Sequence, residues 1–187
     1  MSNRFEIFDT SLSGLQILQC NPVTDGRGSL VRLFCGVEFT SAGWHKPVAQ
    51  INHTYTEKRG TVRGMHFQKR PSAEMKFVTC IRGKVWDVAV DLRLGSRTLL
   101  HWHAEELSAE NRRGFLIPEG FAHGFQCMTD DVELLYCHSA AYDAEVESGL
   151  NPKDPALAIN WPLEIIELSE RDAKHPTLGR DFLGVEI

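Results

Sequence analysis

No stretch of this chain approaches the roughly 20 consecutive apolar residues that a bilayer-spanning helix requires, although 42% of its 187 residues are hydrophobic. The N-terminal run MSNRFEIFDTSLSG has no apolar h-region, so no secretory signal is expected. There is no CxxC pair among the cysteines Cys20, Cys35, Cys80, Cys127 and Cys137. An odd number of scattered thiols without a signal points to reduced cysteines in a cytoplasm. Positive charge is not in excess either. A formal net charge of −5 argues against a general nucleic-acid binder. An anionic small ligand would need a local basic cluster working against that field. Low-complexity runs, internal repeats and linkers are also missing. What remains is one domain over residues 1–187 with enough apolar material for a sizeable core.

Long helical periodicity is scarce, and short β-branched and aromatic runs take its place. They are Ser29–Phe34, Ala49–Thr54, Thr61–Phe67, Met75–Arg82, Lys84–Leu92, Leu100–Glu106, Gly114–Ile117, Ala122–Met128 and Val132–His138. Turn residues separate them, among them Asp25-Gly26-Arg27-Gly28, Arg82-Gly83 and Pro118-Glu119-Gly120. This pattern predicts an all-β sandwich or barrel. Helix signals are confined to Pro155–Ile159 and the stretch after Pro162, with Ser169 as a cap for Glu170-Arg171-Asp172. The loop-rich segment from about residue 140 is expected to wrap the barrel and close one end of its cavity.

Within Val85–Leu92, Trp86, Val88, Val90 and Leu92 share one face, while Val85, Asp87, Ala89 and Asp91 share the other. The apolar face is expected to pack on a second sheet. The two carboxylates then meet either a polar cavity or solvent.

Gly60, five residues and His66, followed by Lys76, six residues and Gly83, lie on the general cupin pattern G-x5-H-x-H-x3-4-E-x6-G. Where a metal cupin has its second histidine and its glutamate, this chain has Gln68 and Lys76. Pro118-Glu119-Gly120-Phe121-Ala122-His123 matches the end of the second cupin pattern, P-x-G-x2-H. The frame thus keeps His66 and His123 as potential ligands. A lysine ammonium has no lone pair and repels a divalent cation, so an acid–base pocket without a bound metal is expected. The competing HxH of His101-Trp102-His103 ends too close to Pro118 for the strands between such motifs. Alternation on a sheet face explains it better.

Several longer motifs resemble the dTDP-4-dehydrorhamnose 3,5-epimerases. They are Arg63-Gly64-Met65-His66-Phe67-Gln68, Asp87-Val88-Ala89-Val90-Asp91-Leu92-Arg93, Pro118–Phe125, Leu135-Tyr136, Asp154-Pro155, Ile159-Asn160-Trp161-Pro162 and Leu168-Ser169-Glu170-Arg171-Asp172. The resemblance runs from about Asp25 to about Asp172. It implies a cupin-like jelly-roll barrel with short peripheral helices, and metal-independent, cofactor-free epimerisation of a nucleotide-linked 4-keto-6-deoxyhexose. It also implies a homodimer with exchanged strands. Carried over residue by residue, it makes His66 the base, Tyr136 the acid on the opposite ring face, Asp172 the partner of His66, and Lys76 the contact to the keto oxygen. His123 lines the same pocket. Arg27, Gln50, Asn52, Arg63 and Arg171 match nucleotide and diphosphate contacts, Glu147 a ligand-contacting carboxylate, and Tyr142 an aromatic residue beside the sugar.

The chemistry asks for these residue types. A proton beside a ketone is lost only as an enolate forms, so abstraction and oxyanion stabilisation must act together. Imidazole titrates near neutrality, a carboxylate on its other nitrogen fixes the tautomer, and a lysine supplies charge at the growing oxyanion. Each residue also has an ordinary structural reading: Asp172 as a helix cap, Tyr136 as core, Lys76 extending to solvent, Arg27 and Arg63 as turn and surface charges.

The family commonly reads D-x-R-G-x-F-x-E where this chain has Asp25-Gly26-Arg27-Gly28-Ser29-Leu30-Val31-Arg32. The Phe is Leu30 and the Glu is Arg32, so Arg32 either serves a different nucleotide or sugar or faces elsewhere. Other readings on the same frame are a sugar 3,4-ketoisomerase, a 3-only or 5-only epimerase, a metal-dependent cupin oxygenase, and a non-catalytic sugar-nucleotide-binding barrel.

Overall fold

The computed structural model describes residues 4–179 and 181–187. The N-terminal strands are β1 (Phe5–Asp9), β2 (Gln16–Cys20), β3 (Val23–Asp25) and β4 (Gly28–Leu30), followed by a single helical turn, α1 (Gly36–Phe39). The central run is β5 (Gln50–Thr56), β6 (Thr61–Gln68), β7 (Lys76–Arg82), β8 (Lys84–Asp91) and β9 (Trp102–Ser108). It continues through β10 (Arg113–Ile117), β11 (Phe121–Cys127) and β12 (Val132–His138). The short β13 (Glu147–Gly149), β14 (Glu167–Leu168) and α2 (Glu170–Lys174) complete the chain.

Two sheets face each other, in the orders β1-β2-β10-β7-β12-β5 and β13-β6-β11-β8-β9, with β14 added in parallel beside β6. From β5 to β12 the chain crosses between the sheets at every step except β8 to β9, which pair directly, and this is the jelly-roll way of closing a barrel from antiparallel pairs. Apolar side chains fill three layers. Val78, Phe115, Leu134, Val85, Phe121 and Phe125 meet between the sheets. Phe39 and Trp44 cover the outside of the first sheet over Phe77 and Leu116. Leu150, Leu157, Trp161 and Phe182 cover the outside of the second sheet over Met65, Val88 and Val90. Each large side chain buried this way contributes about 1.5–3 kcal/mol relative to exposure.

The third layer corrects one expectation. The Trp86/Val88/Val90/Leu92 face of β8 packs under the C-terminal segment, not against the opposing sheet. Its Asp87/Asp91 face is the interior one, and both carboxylates are fully buried. Asp87 reaches His123 inside the barrel, while Asp91 at the strand end is taken up by Arg93, Ser96 and Thr98. A mostly apolar outer face signals cover from any element, not from a second sheet in particular.

Other differences are local. Of Ser29–Phe34 only the start is strand, paired in the β3–β4 hairpin, because the following Phe34 turns in to pack on Phe39 and Trp44. The signals in Pro155–Ile159 give a turn, in which the Asp154 carboxylate accepts the Ala156 N–H and the Asp154 carbonyl the Leu157 N–H. The strands β1 and β2 and the turn α1 were not read from the pattern. The helix start at Ser169 is present: its Oγ accepts the Asp172 N–H at 3.0 Å.

Candidate active site

A cavity of about 710 Å³ opens between the sheets at the end where β5, β6, β12 and α2 meet. Eleven of the side chains singled out from the sequence line it, all but Arg27. Local geometry explains how β6 delivers two of them. Arg63 pairs with Phe125 and His66 with His123, so the strand carries one extra residue at Gly64, where φ is +123°. That bulge lets two residues three apart face the same cavity. Only glycine fits there, since a Cβ would lie 2.4 Å from the Gly124 Cα.

His66 Nε2 lies 2.7 Å from Asp172 Oδ1, and Asp172 Oδ2 accepts the Gly64 N–H at 3.2 Å. Burial opposes ionisation of Asp172, but the His66 contact outweighs it and its pKa falls below the usual carboxylate value. Asp172 is therefore not the cap; Ser169 caps α2, and the cap aims the Asp172 side chain at His66.

Lys76, Val78 and Cys80 alternate onto the interior face of β7, so Lys76 does not reach solvent; its side chain is 8% exposed. Its Nζ donates to the His66 carbonyl at 3.2 Å and meets Glu74 Oε1 at 3.0 Å. The other Glu74 oxygen lies 3.0 Å from His138 Nδ1. Burial works against the Glu74 charge, yet His138 and Lys76 hold its pKa below the ordinary value. Glu74 and His138 were not singled out from the sequence. The signal was available, because His138 shares the interior face of β12 with Tyr136 two residues earlier.

Tyr136 enters from the sheet opposite His66, its ring edge-on to His123 and stacked near-parallel to His138. Burial, aided by the Asp87 charge, raises its pKa well above the normal phenol range. His123 Nε2 contacts Asp87 Oδ1 at 2.8 Å, and burial pushes the Asp87 carboxyl upward despite that partner.

The mouth is polar. Gln50 donates to Asn52 Oδ1 at 3.0 Å, and Arg63 Nε donates to Thr56 Oγ1 at 2.9 Å. Tyr142 donates its hydroxyl to Glu147 at 2.9 Å, and Arg171 pairs with the other Glu147 oxygen. Arg27 stands apart at the tip of the β3–β4 hairpin, its side chain 91% exposed and paired with Asp25. Arg32 pairs with Glu38 at 2.6 Å outside the cavity, so within this chain it faces elsewhere. His103 lies in β9 beside Phe115, and His101 and His103 join no metal-binding group among the described residues.

Fold and pocket together define a cupin-type jelly roll whose interior carries a histidine–carboxylate pair, a buried lysine and a buried tyrosine. A family model described as dTDP-4-dehydrorhamnose 3,5-epimerase matches residues 9–180. The enzyme of that name from Methanothermobacter thermautotrophicus is 41% identical over 171 residues, 90% of this chain and 91% of that one. A Legionella pneumophila dTDP-6-deoxy-D-glucose-3,5-epimerase, solved with dTDP-4-keto-L-rhamnose, superposes with a TM-score of 0.90 at 34% identity, covering 98% and 99% of the two chains. A 3′-monoepimerase from Streptomyces bikiniensis, solved with dTDP-quinovose, gives a TM-score of 0.84 at 36% identity over 90% and 85%. The chain belongs to the dTDP-4-dehydrorhamnose 3,5-epimerase family.

Proposed function

We propose that this protein is an isomerase that inverts C3 and C5 of a dTDP-linked 4-keto-6-deoxyhexose, in a route to a rhamnose-type sugar. The observation that carries this reading is the 2.7 Å contact between His66 and Asp172, in the same cavity as a buried lysine. Asp172 occupies His66 Nε2, which leaves Nδ1 to take a proton from carbon. The Lys76 ammonium stabilises the enolate oxygen, and Tyr136 returns a proton from the opposite sheet. An oriented cation at a developing oxyanion is usually the largest single contribution to such a barrier. Arg63, Gln50 and Asn52 bind the nucleotide and diphosphate, joined by Arg171 with Glu147, while Tyr142 and His123 flank the sugar.

A homodimer completes the site. The interior-facing residues of the sheet-edge strand β5 line the cavity, while its outward Ile51 and Tyr55 are exposed, as is Leu30 on the hairpin. An uncovered edge with apolar side chains favours pairing with a second copy. Such pairing would carry Arg27 to a neighbouring cavity. Five free cysteines fit a reducing, cytoplasmic compartment, and no helix among the described residues is long and apolar enough to cross a membrane.

The test is NMR of dTDP-4-keto-6-deoxyglucose incubated with the protein in D₂O. Deuterium at both C3 and C5 is the expected result, and none at either position would overturn the reading. Likeness to the monoepimerase supports a second reading, inversion at C3 alone, which predicts deuterium at C3 only.

A further inference from the structure

His175 ends α2, and its ring is laid over Gly149, which β13 pairs with His66. A Cβ at position 149 would lie 2.3 Å from His175 Nε2, so only a glycine leaves room for the ring. The His175 and His66 rings meet edge to face with centroids 5.9 Å apart. His175 Nε2 is buried with no hydrogen-bond partner among the described residues. Proton transfer as described above makes no use of it. A buried polar nitrogen without a partner is uncommon, and a neutral imidazole lone pair is a ready metal ligand.

One ligand atom from each of His66, Asp172 and His175 lies within 4.8 Å of the others. Two imidazoles and a carboxylate suit Zn²⁺. Tetrahedral Zn²⁺ with bonds of about 2.0–2.2 Å holds its ligand atoms about 3.3–3.6 Å apart. The His66–Asp172 contact, now 2.7 Å, would open by roughly 0.6–0.9 Å. The nearby Lys76 charge is countered by Glu74 at 3.0 Å, so it does not bar a cation.

We propose that His66, Asp172 and His175 form a site for a divalent transition metal, best suited to Zn²⁺, whose occupancy silences the enzyme. This set differs from the cupin frame, sharing only His66 with it and drawing its other two ligands from the C-terminal helix. A metal on His66 Nε2 confines the imidazole proton to Nδ1, so no lone pair remains to accept one from carbon. The inhibitory half rests on the role proposed for His66; the binding half rests on the geometry alone.

The experiment uses the full chain and the His175→Phe variant, which keeps a ring over Gly149 but removes the ligand. Zn²⁺ binding is followed by calorimetry, and Co²⁺ by its visible absorption. The expected result is one ion per chain at micromolar Zn²⁺, with reversible loss of epimerisation, restored by EDTA. In His175→Phe the affinity should fall by at least about tenfold, with metal-free turnover retained. Equal affinity in the two proteins, or no binding at micromolar Zn²⁺, would overturn the site. Binding that depends on His175 but leaves turnover intact would overturn the inhibitory half alone, whereas a protein inactive even without metal would count against the epimerase reading.

Discussion

Asp172 and His66 lie 106 positions apart in the chain, yet Oδ1 and Nε2 meet at 2.7 Å, and the contact ties the C-terminal helix to the centre of the barrel. The carboxylate is also anchored by the Gly64 N–H, and its own backbone N–H is held by the Ser169 cap. Orientation of His66 therefore depends on the fold of the last segment, and a change in the carboxylate tests the proton-transfer reading directly.

Asp172→Asn keeps the helix cap, which uses the backbone, while removing the charge that supports the imidazolium. Turnover should drop about 10²–10⁴-fold, the usual scale of general acid–base catalysis, with a melting temperature close to that of the parent. A loss of less than threefold would separate Asp172 from the chemistry.

Tyr136→Phe separates abstraction from return of the proton. The phenol is neutral at any working pH because burial raises its pKa. With the hydroxyl gone, His66 should still exchange substrate protons for deuterium, while inversion slows by about 10²-fold or more. NMR of exchange and of product configuration in the same tube reads both, and equal loss of the two would point to a different donor.

Glu74 neutralises a lysine whose side chain is 8% exposed. Glu74→Ala should destabilise the fold by about 3–5 kcal/mol, because it leaves a buried charge unpaired. Adding Lys76→Met should restore much of that stability while leaving the enzyme nearly inactive. Urea unfolding of the parent, both single variants and the double variant measures the coupling; simple additivity would dissociate the pair.

Acid sensitivity should have a contribution from Asp91. Burial raises its pKa, but Arg93, Ser96 and Thr98 outweigh that and bring it from 3.8 to about 2. A depressed carboxyl pKa stabilises the fold above the unfolded value, and the stabilisation is lost as pH falls through the folded one. The contribution at neutral pH is about 2 kcal/mol. Asp91→Asn should be less stable by about this amount at pH 7, and the difference should shrink from about pH 5 towards pH 2. Denaturation curves across that range check it, and a constant difference would reject the linkage.

The order of strands from β5 to β12, the degenerate metal frame and eleven of the residues that line the cavity were legible in the sequence. Each depends on a local repeat or spacing: period-2 alternation, glycines at turns, histidines at fixed offsets. Tertiary structure decided what those patterns cannot carry. It assigned the apolar face of β8 to the C-terminal segment, because burial does not record which neighbour provides it. It drew Glu74 and His138 into one network with Lys76, a contact between strands that no spacing within one strand encodes. It left Arg27 outside the cavity of its own chain. And it brought Asp172 and His175 to His66, through a helix capped at Ser169 and a glycine opposite His66 that leaves room for the His175 ring.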